Sequence, residues 1–107
     1  MSDIDDFERE VIERSRQKPV VVDFFAGWCG ACSILGPQLE VVRERHRGEW
    51  VLVKINIDKH PALAMMCKVT SVPAVRLFIN GKITAEFAGA QPAHLIEQWL
   101  KENLPHP

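Results

Sequence analysis

From Val20 to Ala26 the chain reads Val-Val-Val-Asp-Phe-Phe-Ala, a β-branched and aromatic run with a single polar residue in it. Near-continuous apolarity of this kind suits a strand covered on both faces, because a sheet open to water on one side leaves an alternating pattern instead. The rest of the chain must therefore supply cover for two faces. Gly27-Trp28-Cys29-Gly30 breaks the run, and a helical pattern follows from about Cys29 to Arg47 through Leu35, Leu39 and Val42. Pro37 supplies no amide and crowds the preceding turn, so it should kink or interrupt this helix near its first turns.

The flanking segments complete the pattern. Ile4, Phe7, Val11 and Ile12 recur at helical spacing from Ile4 to Arg16, with Ser2 or Asp3 as N-cap and Lys18-Pro19 as the stop. Trp50 to Ile57 alternates as a strand, and Asp58 to Val69 is a short helical stretch with Pro61 near its start. Ala74 to Ile79 and Ile83 to Phe87 flank Asn80-Gly81, a pair suited to a type I′ turn and the strongest antiparallel signal in the sequence. Gly89 ends that second strand, and Gln91 to Asn103 is a final helix with Leu95, Ile96, Trp99 and Leu100 as its inner face. A βαβ half followed by a ββα half gives an α/β fold, a central mixed sheet flanked by helices on both faces.

At 107 residues, with no compositional break, repeat or low-complexity segment, the chain is expected to be a single domain spanning residues 1–107. Hydrophobic residues at 47% and charged residues at 25% are the profile of a chain with a proper core. The 13 basic and 14 acidic side chains leave a net charge of −1, and the basic ones form no run that could track a phosphate backbone, so nucleic acid is not an expected partner. The acidic start, Met-Ser-Asp-Ile-Asp-Asp-Phe-Glu, lacks the basic and apolar regions of a secretory signal, and no apolar stretch is long enough to span a bilayer. The expectation is a soluble, cytoplasmic monomer without membrane contact. Three cysteines are too few for a disulfide scaffold, so Cys29 and Cys32 call for a chemical explanation.

Cys29-Gly30-Ala31-Cys32 follows a buried-looking strand and opens a helix. The first amides of a helix lack intrahelical partners and carry partial positive charge, which stabilises a thiolate there and lowers its pKa. Cys29 is therefore the expected nucleophile. Cys32, one turn further in, can attack the sulfur of a mixed disulfide on Cys29 and release the substrate reduced. Half of a zinc site is the competing reading, but tetrahedral zinc needs about four protein ligands, and only a scattered Cys67 and isolated histidines accompany this pair. No metal is expected, and His46, His60, His94 and His106 are given no chemistry.

The residues Val22-Asp23-Phe24-Phe25-Ala26-Gly27-Trp28-Cys29-Gly30-Ala31-Cys32 resemble the thioredoxin family. Further along, Pro37 sits where thioredoxins carry their kinking proline, Ser71-Val72-Pro73 resembles their cis-proline loop, and Asn80-Gly81-Lys82 and Gly89-Ala90 resemble the later hairpin and loop. The likeness covers residues 3 to 104. It implies a thioredoxin fold and a protein-disulfide reductase that works through the redox-active Cys29–Cys32 disulfide with no bound cofactor. A thioredoxin reductase drawing on NADPH would recharge it, and its substrates would be protein disulfides.

The resemblance also implies roles for particular positions. Asp23, a lone carboxylate in an apolar strand, would have a raised pKa and shuttle a proton for Cys32 through a water, the alternative being a surface-facing edge residue. Lys54 matches a lysine near that carboxylate, or is simply an exposed strand residue. Pro73 would be cis and leave the Val72 backbone free for strand addition by substrate. Trp28 would shield the cysteines and offer a contact surface, with ordinary core packing as the other reading. Gly30, Ala31 and Gly89 complete the substrate surface, and Pro37 and Lys54 support it.

Ala31 departs from the proline that most thioredoxins carry there, and Phe25 from a common tryptophan; the short segment before Phe7 implies that the usual first strand is reduced or absent. Cys67 is either a small buried hydrophobe, which is favoured, or a regulatory thiol. Met65-Met66 belongs to helix packing or to a soft partner surface. Two other readings stay open at this level: an oxidase or isomerase with a more oxidising pair, and a binding or holdase module on the same fold.

Overall fold

The computed structural model describes residues 3–105. The apolar run forms β1 (Val20–Phe25), with β2 (Val51–Asn56) parallel on one side and β3 (Ala74–Ile79) antiparallel on the other. β4 (Lys82–Ala88) pairs antiparallel with β3, so the sheet order is β2-β1-β3-β4. β1 is thus an interior strand, which is why it reads as uniformly apolar. Asn80 and Gly81 both take positive φ, 52° and 81°, as the expected hairpin turn demands. The β3–β4 ladder is irregular between Leu77 and Phe78, where Ala85 and Ile83 are the successive partners and Thr84 is left over.

Both faces are covered. Val20, Val22 and Phe24 pack with Phe7 and Val11, with Leu63 of α3 (Pro61–Met66) and with Cys67, the residue that caps α3. On the other face, Val21, Val75 and Leu77 pack against Leu35, Leu39 and Val42 of α2 (Gly30–Arg45) and against Ile96 and Leu100 of α4 (Ala93–Asn103). The fold class is as expected, a mixed sheet between two helical layers. Among the described residues the sheet has four strands and none precedes the first helix.

Details depart from the sequence reading for local reasons. The N-terminal helix, α1 (Asp3–Phe7), continues as a π-helical stretch, Glu8–Glu13, and a 3₁₀ turn, Arg14–Arg16. Phe7 and Val11 are buried, whereas Ile4, in the first turn of the helix, is 49% exposed. Asp3 lies inside the helix rather than capping it, and Ser2, like His106, lies outside the described residues. α2 runs as one helix through Pro37, its eighth residue, where the missing amide leaves the Ser33 carbonyl without its intrahelical donor. Leu95 is exposed rather than part of the inner face of α4, whereas Trp99 packs edge-on against Phe87 at 4.9 Å.

Two polar side chains that the sequence did not single out tie elements together. Ser15 is buried; its hydroxyl donates to the Ile12 carbonyl at 2.7 Å and accepts from the Gly81 amide at 2.8 Å. The hairpin turn is thereby fastened to the end of the N-terminal helix. The residue before α4 is Pro92, which has no capping side chain, and Gln38 of α2 accepts the Ala93 amide instead, at 3.1 Å.

Candidate active site

β1 delivers the chain to the end of the sheet, where the Cys29 amide donates to the Ala26 carbonyl at 3.2 Å and α2 begins. Cys29 is the N-cap of α2, with extended backbone, and its Sγ accepts the Cys32 amide at 3.1 Å. That amide and the positive helix end favour negative charge on the Cys29 sulfur when the pair is reduced. Cys29 and Cys32 form a disulfide with Cα atoms 5.3 Å apart, both nearly buried beside Ala26 and flanked by Phe25, Ala31, Ile57 and Val72. Gly30 is exposed at the tip and Ala31 half-buried beneath it.

The proline loop meets this cluster through Val72. The Val72–Pro73 peptide is cis, as expected, and the Pro73 carbonyl accepts the Gly89 amide at 2.9 Å, Gly89 holding a φ of 83° that favours glycine. Cys29, Cys32, Val72, Pro73 and Gly89 are therefore gathered at one end of the sheet.

Asp23 lies beneath. It is 1% exposed, and Oδ1 has no hydrogen-bond partner among the described residues. Burial pushes its pKa up to about 6 from 3.8, and the Lys54 ammonium pulls partly back. The reading as a surface-facing edge residue is excluded. Lys54 is its parallel register partner on β2 and is exposed, so both readings of this lysine hold. Its Nζ lies 6.0 Å from the Phe25 ring centroid, so the phenylalanine that replaces the common tryptophan still gives it an aromatic neighbour. A Cβ at Gly36 would stand 3.3 Å from that Nζ, so a glycine on α2 gives the ammonium its space. A cleft of about 250 Å³ lined by Asp23, Phe25, Cys29, Cys32, Pro37 and Lys54 connects carboxylate and sulfurs to solvent. A larger hollow of about 470 Å³ beside His46, Trp50 and Leu104 lies away from the sulfurs.

Trp28 does not pack in the core. Its side chain is 71% exposed and held by a hydrogen bond from Nε1 to Asp58 Oδ2 at 2.9 Å. Asp58 is in turn placed by Asn56, whose Oδ1 accepts the Asp58 amide at 2.9 Å. The Asn-x-Asp pattern that begins at the last residue of β2 was the available signal for this support. Met65 and Met66 are both exposed, which rules out the packing reading. Cys67 is buried and free; burial raises its thiol pKa and the Arg76 guanidinium offsets part of that. Among the described residues no three His, Cys, Asp or Glu side chains cluster as a metal site, and no helix is long and apolar enough to cross a membrane.

Residues 2–102 match the thioredoxin family model. The chain belongs to the thioredoxin family. It is 41% identical over 97 residues to the mitochondrial thioredoxin of Bos taurus, covering 91% of this chain and 57% of that protein. It is 41% identical over 88 residues to a thioredoxin of Streptomyces clavuligerus, covering 82% and 79%, and 32% identical over 98 residues to one of Chlorobaculum thiosulfatiphilum, covering 92% and 89%. The chain thus spans little more than half of its mitochondrial relative and most of these two others. Against the thioredoxin pattern, Ala31 is half-buried against the cysteine cluster, and Phe25 lies beside Lys54.

Proposed function

We propose that the chain is a thiol–disulfide oxidoreductase that reduces protein disulfides, with Cys29 as nucleophile and Cys32 as resolving thiol. The observation that carries this reading is a disulfide at a helix N-terminus set over a buried carboxyl whose Oδ1 has no described partner. The Cys29 thiolate attacks a substrate disulfide; a Cys29–substrate bond forms, the substrate bond breaks, and the leaving sulfur takes up a proton. Asp23 then accepts the Cys32 proton through a water, and the Cys32 thiolate attacks Cys29 Sγ. The Cys29–Cys32 bond forms as the Cys29–substrate bond breaks, the second substrate sulfur leaves as a thiolate and takes up the proton that Asp23 received, and two electrons have passed to the substrate.

Trp28, Gly30, Ala31, Val72, Pro73 and Gly89 form the surface that receives an extended substrate segment, the Val72 backbone pairing with it by strand addition. Lys54 and Pro37 hold the rim of the Asp23 cleft. A thioredoxin reductase returns the electrons, drawn from NADPH, so the chain itself needs no bound cofactor. Residues 1–107 act as one thioredoxin-like domain and as a monomer. The compartment is a reducing one, consistent with a free Cys67 beside a single exchangeable disulfide, and we place it in the cytoplasm.

Insulin reduction by dithiothreitol tests this: catalytic amounts of the protein should accelerate precipitation of the insulin chains. No acceleration would leave a thioredoxin-fold binding module as the better account. The equilibrium potential against glutathione fixes the direction of flow. A value near or below that of cytosolic glutathione is expected, and one well above it would make the chain a disulfide donor or isomerase.

A further inference from the structure

α3 ends in an unusual way. The Val69 amide donates to the Ala64 carbonyl at 2.9 Å and the Lys68 amide to Met65 at 3.1 Å, the paired bonds of a Schellman terminus. The residue in the left-handed position is Lys68, with φ of 56°, where such ends ordinarily take glycine. The carbonyls of Cys67 and Lys68 then need partners from outside the helix. Both find them on Arg76 of β3. Its Nε donates to the Cys67 carbonyl and Nη2 to that of Lys68, each at 3.4 Å, and Nη1 reaches Val75 at 3.3 Å. Across the β3–β4 ladder Glu86, its register partner, pairs with Nε at 3.2 Å. The Arg76 side chain is 9% exposed, so the guanidinium is spent inside the protein.

We propose that Arg76 is a positioning residue for the substrate-binding loop: by fixing the carbonyls of residues 67 and 68 to the sheet it sets the path of residues 69–73 and so the presentation of the Val72 backbone beside the cysteines. This rests on the reading of Val72 as the strand-pairing edge. The loop is anchored at its far end by the bond from Gly89 to Pro73, and Arg76 supplies the near anchor. A protein substrate that pairs with the Val72 backbone depends on that path, whereas a small disulfide that touches only the sulfurs does not. Arg76 lies on the opposite face of the sheet from Asp23, so it does not bear on the proton step.

The test is a pair of substrates on purified full-length protein, insulin and a small aromatic disulfide, with Arg76→Leu, Arg76→Lys and Glu86→Gln. Arg76→Leu should raise KM for insulin about fivefold, as expected for the loss of one or two modest hydrogen bonds, and leave kcat within about twofold. The rate with the small disulfide and the reduction potential should not move, while amide exchange in residues 68–72 should quicken about tenfold. Arg76→Lys should recover part of the loss, and Glu86→Gln should show the smallest effect. Unchanged insulin KM, or equal losses on both substrates, would overturn the proposal. If Arg76→Leu does not fold, Arg76→Lys with unaltered amide exchange in that segment would overturn it equally. Failure of the parent protein on both substrates would instead sink the reductase reading, with amide exchange still deciding whether Arg76 anchors the loop.

Discussion

Two charged side chains are buried in neighbouring strands, Asp23 on β1 and Arg76 on β3, and the sheet separates them. Asp23 faces α2 and the disulfide, with Oδ1 lacking a described hydrogen-bond partner and a pKa pushed to about 6. Arg76 faces α3, and its guanidinium reaches three carbonyls and one carboxylate. A buried charge with partners organises structure, and one without them is poised to exchange a proton. On the proposed reading, one face of the sheet holds the groups of the reaction and the other the frame on which the substrate loop hangs.

The comparison breaks first at the sulfurs. Cys29→Ser should lower insulin reduction by about 10³-fold or more, since hydroxyl cannot replace a thiolate in disulfide exchange, and should leave the fold intact by circular dichroism. Appreciable residual turnover would move the nucleophile elsewhere. Asp23→Asn should slow turnover by roughly ten- to a hundredfold near pH 7 while raising stability by ~2 kcal/mol, because it removes the cost of ionising a buried acid.

The same acid gives a pH signature. Its folded pKa, about 6, lies above the ordinary 3.8, so the folded state holds a proton that the unfolded state has released. Its contribution to stability is fully present below the ordinary value and is lost as pH rises through about 6, by at most roughly 3 kcal/mol. Denaturant unfolding of the oxidised protein should show this loss between about pH 4 and 6 in the parent and not in Asp23→Asn. The reverse slope would contradict the burial argument.

On the opposite face, Ser15→Ala should cost ~1–2 kcal/mol by removing a buried hydroxyl that serves both the helix end and the hairpin turn, with no change in turnover. An effect on rate would couple the two faces. The smallest effect is expected at Asp58→Asn, which weakens an exposed hydrogen bond to Trp28; indole fluorescence should shift and insulin KM rise about twofold or less.

Much of this was legible in the residues. The apolar run with Asp23 inside it announced an interior strand and a buried acid, Asn80-Gly81 placed the hairpin, and Cys29 was placed at the strand-to-helix junction. Pro73 came from resemblance alone, since nothing in Ser-Val-Pro by itself requires a cis bond. What escaped were side chains whose partners are distant in sequence: Arg76 on Cys67 and Lys68, Asp58 on Trp28, Gln38 on Ala93 and Ser15 on Gly81. Arginine in a strand looks like a solvated residue until the fold shows the carbonyls it meets. The π-helical stretch also escaped, because it changes which residues share a face without changing composition.

The central claim is that Cys29 attacks and Cys32 resolves. The direct test is to mix reduced Cys32→Ser protein with insulin and map the adduct by mass spectrometry. A stable mixed disulfide on Cys29 is the predicted result. An adduct on Cys67, or none with Cys29 free, would contradict it.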